Sequence, residues 1–255
     1  MHVILPLAIG LVALLYASVG HAGATGYIAV MTLLGMPAAV IRPTALSLNV
    51  IVATIASVQF LRAGHFRGRL FWPLALASVP CAFVGGTITL PTVAFEAVLG
   101  GVLLVSAVRM LLDARRVAAD HDTISPTLPE RPWLAPAVLR ALGGGVGFLS
   151  GLTGVGGGVF LTPALLAVGA APVKTIAAVT APFILVNSLA GLGGGLLAGR
   201  PFPAGSLPVI AAAAVGGVIG SHVGAFRLSA RILRLLMAAV LACASVKLLG
   251  GPLGL

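Results

Sequence analysis

The chain has 255 residues, of which 59% are hydrophobic and only 8% charged. Soluble domains carry about 25% charged residues, so a soluble fold is excluded and a polytopic membrane protein is expected, with about 20 apolar residues per span. The net charge of +10 does not mark a nucleic-acid binder, because the basic residues lie in short loops between apolar runs and form no patch interleaved with aromatics.

No Lys or Arg precedes the first apolar run, unlike a secretory signal peptide, so Val3–Val19 reads as a first helix. A glycine break, Gly20–Gly26, follows, and then a short apolar element, Tyr27–Leu34, ended by Gly35-Met36-Pro37. A third helix opens at Arg42-Pro43 and runs to Leu61. After a basic loop with Arg62, Arg67 and Arg69, a fourth covers Leu70–Leu90, with kinks expected at Pro73 and Pro80. A turn containing Glu96 leads to a fifth over Ala97–Leu112. The polar stretch Asp113–Trp133 reads as a solvated linker. The second half repeats the order: Ala135–Leu149, Val159–Val168, Thr175–Leu197, Leu207–Phe226 and Ile232–Leu249. Two sets of five elements with a period of roughly 130 residues are an internal repeat. One transmembrane domain is expected, with repeats over 1–112 and 134–255 and a cytoplasmic linker over 113–133.

Charge relates the two halves. Placing the Arg62–Arg69 loop in the cytoplasm leaves only Arg42, Arg200 and Lys247 outside, of fifteen basic residues, which satisfies the positive-inside rule. The basic loop after the third element then lies inside in the first half and outside in the second, so equivalent loops face opposite sides. The expected class is an all-α polytopic membrane protein of two inverted repeats, about five helical elements each, with a glycine-broken short helix in each. It is placed in the cell (plasma or inner) membrane with both termini extracytoplasmic. The parity is the same whether the first two elements of a repeat span fully or form a re-entrant hairpin.

Gly151-Leu-Thr-Gly-Val-Gly-Gly-Gly158 is the most informative stretch. Five glycines in eight residues are poor helix interior, each costing roughly 1 kcal/mol against Ala, and they are expected to open a short helix whose uncapped N–H groups suit an anion. Aligning Gly20 with Gly151 pairs Gly23 with Gly154 and Gly26 with Gly157. Breaks at matching positions of two halves are a pointer to a transporter binding site. Gly143, Gly147 and Gly151, like Gly216, Gly220 and Gly224, are spaced four apart and read as helix-packing faces.

Polar residues inside the apolar runs are His21, Thr25, Thr44, Ser47, Asn49 and Gln59 in the first half. Those of the second are Thr153, Thr162, Thr175, Thr180, Asn187 and Ser188. An interhelical hydrogen bond is the ordinary role of such groups, and facing a cavity the other. A shift of about 133 residues lays Ser47 over Thr180, and Arg42 and Lys174 are also matched, each just before a long helix, where each could draw anions to a vestibule. The candidate substrate-binding set is Gly20, His21, Gly23, Thr25, Ser47, Asn49, Thr153, Gly154, Gly156, Gly157, Gly158, Thr180 and Asn187, with Arg42 and Lys174 as anion attractors. Hydroxyls and N–H groups hold an oxyanion without a fixed counter-charge, which permits release.

No catalytic set is visible: every Asp lies between 113 and 122, and the glycine run lacks the Gly-Lys-Ser/Thr ending of a nucleotide loop. No enzyme and no cofactor are expected. Cys81 and Cys243 are isolated inside apolar runs and read as small buried hydrophobes. The absence of a mid-membrane carboxylate or a His/Cys cluster argues against a metal or cation path.

The Gly151–Gly158 run with its trailing Pro163, the weaker Gly20 copy, the length and the two-half layout resemble the TauE/SafE sulfite exporter (anion permease) family over essentially the whole chain. The resemblance implies transport of small sulfur-containing or organic anions, such as sulfite and sulfonates. The first repeat departs from the pattern, with Ala24, Thr25 and Tyr27 where the second has Val155, Gly156 and Gly158. The expected partners are a small anionic substrate and the lipid bilayer, with a homo-oligomer allowed and nucleic acid excluded. The competing expectation is a non-transporting membrane scaffold or assembly subunit.

Overall fold

The computed structural model describes residues 3–88, 104, 108, 135–200, 206–229, 232, 235, 239 and 242. Among these, eight α-helices are complete and no strand occurs. They are α1 (Ile4–Ser18), α2 (Ala24–Leu33), α3 (Ala38–Arg62), α4 (Gly68–Thr87), α5 (Pro136–Thr153), α6 (Gly158–Ala167), α7 (Val173–Leu197) and α8 (Leu207–His222), the last extended by a π turn, Val223–Arg227. The protein is therefore all-α. The fifth element of each half, the Glu96 turn and the linker lie outside the described residues, except that 104, 108, 232, 235, 239 and 242 are helical.

Length sets the role of each helix. At 1.5 Å per residue, about 20 residues cross a hydrocarbon core of about 30 Å. Four helices are long and apolar enough: Val40–Arg62, Gly68–Thr87, Val173–Leu197 and Leu207–Arg227. Leu7, Leu76, Leu197 and Leu207 are each more than 60% exposed, an outer surface that suits lipid rather than water. The ten-residue helices α2 and α6 reach only about half-way across. A Cβ on Gly26 would lie 2.5 Å from Val12, so α2 doubles back along α1 instead of continuing it.

The two halves interlock. The first helix of each packs along the fourth of the other: α1 on α8, and α5 on α4. Their contacts are backbone to backbone. Cβ atoms on Gly143 and Gly147 would lie 2.3 Å from the carbonyl oxygens of Leu74 and Ser78, and one on Gly151 1.9 Å from that of Ala82. Gly216, Gly220 and Gly224 meet the carbonyl oxygens of Gly10, Leu14 and Ser18 in the same way. These are the small-residue faces read from the sequence, and residue numbers rise together in both pairs, so each pair runs parallel. The long helices α3 and α7 cross at the centre in opposite directions: Leu46 meets Gly191, Asn49 meets Ser188, and Ala56 and Phe60 cluster with Ala177 and Ala181.

The repeat register differs from that expected. A shift of 134 or 135 residues carries Gly20 (φ 77°) onto Gly154 (φ 74°) and Gly35 (φ 71°) onto Gly169 (φ 60°). The same shift carries the N-cap Pro37 onto Pro172, α3 onto α7, both 25 residues long, and Gly64 (φ 75°) onto Gly199 (φ 76°). Backbone conformation, not glycine count, sets the match. Gly151 is not the mate of Gly20, because it sits inside α5 for helix packing, and Gly26, which spacing pairs with Gly157, lies inside α2.

Candidate functional site

The second break is built from left-handed backbone. Gly154 caps α5, and Gly156 and Gly157 both have φ 83°, a region closed to most side chains. No side chain caps α6. The first helical hydrogen bonds go from the N–H groups of Phe160 and Leu161 to the Gly157 carbonyl, so those of Gly158 and Val159 have no helical acceptor. They carry the positive end of the helix dipole.

The break is wedged between the two long crossing helices. A Cβ on Gly156 would lie 2.6 Å from Asn49 Nδ2 on α3 and 3.0 Å from Ser188 Oγ on α7. Asn49 is fully buried. Its amide donates to the Val155 carbonyl (3.2 Å) and the Ser188 hydroxyl (3.4 Å), while its Oδ1 has no protein partner. Lower on α7, Thr180 shares a hydroxyl hydrogen bond of 3.1 Å with Thr162 of α6, and a Cβ on Gly158 would press on Thr180 and Ile184. Ser150, whose Oγ is buried and unpartnered, closes the side below Gly157. Thr153 accepts the Val155 N–H through its hydroxyl and shapes the turn.

The first break adjoins the second across α7. Gly20 packs on Ala177, one turn from Thr180, and the His21 ring lies against the Gly158 backbone. Nδ1 of His21 bonds the Val19 carbonyl at 3.3 Å, leaving Nε2 buried and unpartnered. The rest of this break is tied to itself. The Thr25 hydroxyl donates to Tyr16 (2.9 Å), Tyr27 donates to the Ala22 carbonyl (2.5 Å), and the Tyr27 ring fills the space beside Gly23. The two half-helix starts therefore come together, and at the second a polar side chain from each long helix, Asn49 and Ser188, stands beside Gly156.

Other expected residues stand elsewhere. Ser47 is not the mate of Thr180: under the structural register it corresponds to Pro182. It lines, with Thr44, a cavity of about 500 Å³ between α3, α7 and α8. Asn187 turns its amide to its own helix, donating to the Phe183 carbonyl at 2.8 Å. Arg42 and Lys174 are not register mates either, since Arg42 corresponds to Ala177. Arg42 donates to the last carbonyls of α5, at Leu152 and at Gly151 (3.5 Å). A cation at that pole suits the helix dipole, and here the Arg is first a helix anchor. Lys174 stands at the start of α7 near His65, whose imidazole burial and the Lys174 charge hold below its ordinary range.

Ser188 and Ser150 were missed as site residues. Ser188 was visible as a polar residue in an apolar run, but nothing in its spacing tied it to Asn49, 139 residues away. Among the described residues no group of three or more His, Cys, Asp or Glu could hold a metal.

The model of the family described as sulfite exporter TauE/SafE matches residues 5–248. The chain is also 40% identical over 246 residues to the probable membrane transporter protein y4hK of Sinorhizobium fredii (strain NBRC 101917 / NGR234), covering 96% of this chain and 97% of that protein. No solved structure matches. Glycine-broken half-helices seated on two long crossing helices and a family match along nearly the whole length lead to one conclusion: this membrane protein belongs to the sulfite exporter TauE/SafE family.

Proposed function

We propose that the chain is a permease for small sulfur-containing or organic anions, sulfite- or sulfonate-like, and that the anion rests at the second break. Membrane transport itself follows from the family and from the relative's name. The observation that carries the site is the start of α6, its N–H groups uncapped, at a turn that Asn49 of α3 holds through the Val155 carbonyl and the Ser188 hydroxyl of α7. The uncapped N–H groups hold an oxyanion by dipoles alone, while both Asn49 N–H groups are spent on the turn. Thr180 and the buried His21 complete the wall.

Two features support inverted repeats. With elements alternating in direction, the first and fourth helices of one half run oppositely. The first helix of one half can lie parallel to the fourth of the other, as α1 does to α8 and α5 to α4, only if the halves are inverted. The opposite crossing of α3 and α7 agrees. In this reading the linker is cytoplasmic, both termini are extracytoplasmic, and the Arg200 end of α7 faces outwards.

The break is closed here, with Ile184, Phe183 and Asn49 in van der Waals reach of the glycines. Passage therefore requires α6 to shift against α3 and α7, one half moving on the other as inverted repeats allow. That dense packing is also what a non-transporting scaffold would have. Purified chain in liposomes separates the two. Flux of at least one of sulfite, a sulfonate or thiosulfate above protein-free liposomes is expected. No flux across that panel and small carboxylates would leave the scaffold.

A further inference from the structure

A second feature concentrates positive charge away from the break. Arg42 and Arg200 face one narrow cleft, walled by Pro43, Leu46, Gly191 and Gly195, where α3 begins and α7 has just ended. Arg200 spends one N–H on the Ile88 carbonyl (2.8 Å). Arg42 keeps Nε buried without a protein partner and rests its other end on the carbonyls beside Gly154. Two like charges in one cleft repel unless an anion lies between them, and a planar guanidinium is the side chain best shaped to fork onto an oxyanion.

We propose that Arg42 and Arg200 form a second anion site, at the mouth of the path, for the oxyanion group of a small solute or of a lipid headgroup. The gap between the walls has room for about one water molecule. One oxygen of the anion enters it, and the remainder stays in the open mouth against Arg200, which is at the surface. The cleft adjoins the second break through Arg42, so a captured anion stands next to the closed passage. Its role in capture rests on the transport reading above; its existence as a binding site does not.

The test uses full-length protein in nanodiscs of zwitterionic phosphatidylcholine, with labelled sulfate as probe. Arg200→Gln should weaken sulfate binding at least fivefold and Arg200→Lys by less. Arg69→Gln, an exposed charge near the start of α4, should change nothing; monodispersity on size exclusion shows that each variant is folded. Adding phosphatidylglycerol separates the sources: Arg200-dependent displacement of sulfate by this lipid makes the headgroup the occupant, and no displacement makes it the free solute. In liposomes Arg200→Gln should raise the apparent KM several-fold at low salt, an effect that shrinks at high salt. If Arg200→Gln binds sulfate as tightly as the parent and retains as much phosphatidylglycerol, the site is overturned. Sulfate binding that depends on Arg200 in a protein that moves no anion would overturn the transport reading alone.

Discussion

At the scale of single residues, the polar groups around the second break differ in what they hold together. In the Thr162–Thr180 pair one hydroxyl donates to the other across α6 and α7. Hydrogen bonds between membrane helices average about 0.6 kcal/mol, so Thr180→Val should lower the melting temperature by only a few degrees, measured by thermal denaturation in detergent. Asn49 holds the turn at Val155 and Ser188 while its Oδ1 stays unsatisfied. Removing that amide releases the Val155 carbonyl and the Ser188 hydroxyl, and with them the turn that opens α6. Asn49→Ala should cut anion flux in liposomes at least tenfold while the protein is still recovered from the membrane. Flux within twofold of the parent would remove Asn49 from the site.

At the scale of elements, glycines divide by what stands opposite. Gly147 faces a backbone carbonyl of α4 at a distance no Cβ can take, whereas Gly145, on the same helix, has nothing within 4 Å. Gly147→Ala must force α4 and α5 apart, and it should abolish recovery of folded protein on size exclusion. Gly145→Ala relieves only backbone entropy, worth about 0.5–1 kcal/mol in a helix, and should leave the melting temperature equal or raised. The helices themselves were legible because apolar run length and Gly/Pro punctuation report them directly: α7 ends at Leu197 and α8 begins at Leu207, both as read. The start of α3 was not. Arg42-Pro43 reads as its opening in the sequence, yet the helix begins at Ala38 with Pro37 as N-cap and carries Pro43 inside. Pro43 is the sixth residue of the helix, where a proline removes one hydrogen bond and bends the helix without having to end it, so its presence marked no boundary. The repeat register was misjudged for a related reason: Gly151 looks like its neighbours in the sequence, but it serves the α4 interface while Gly154, Gly156 and Gly157 bend the chain. Spacing alone does not separate these two uses of glycine.

At the scale of the whole molecule, the proposed path requires that the two halves be inverted, with their long helices crossing at the second break. Sidedness checks the inversion. In a chain with Cys81 and Cys243 replaced by Ser, His65→Cys and Ser206→Cys follow the equivalent long helices of the two halves. An impermeant thiol reagent should label them from opposite faces of the membrane; labelling from one face would mean that the halves are not inverted. The passage itself is tested most directly at Ser188, which is fully buried beside Asn49 and Gly156. Ser188→Cys, on the same cysteine-free background, should keep measurable flux. A sulfonate-bearing methanethiosulfonate reagent should then stop that flux as the break opens, and methanesulfonate should slow the reaction by occupying the site. A thiol that reacts fully with no loss of flux, or one that never reacts while anions continue to cross, would contradict a path between α3, α6 and α7.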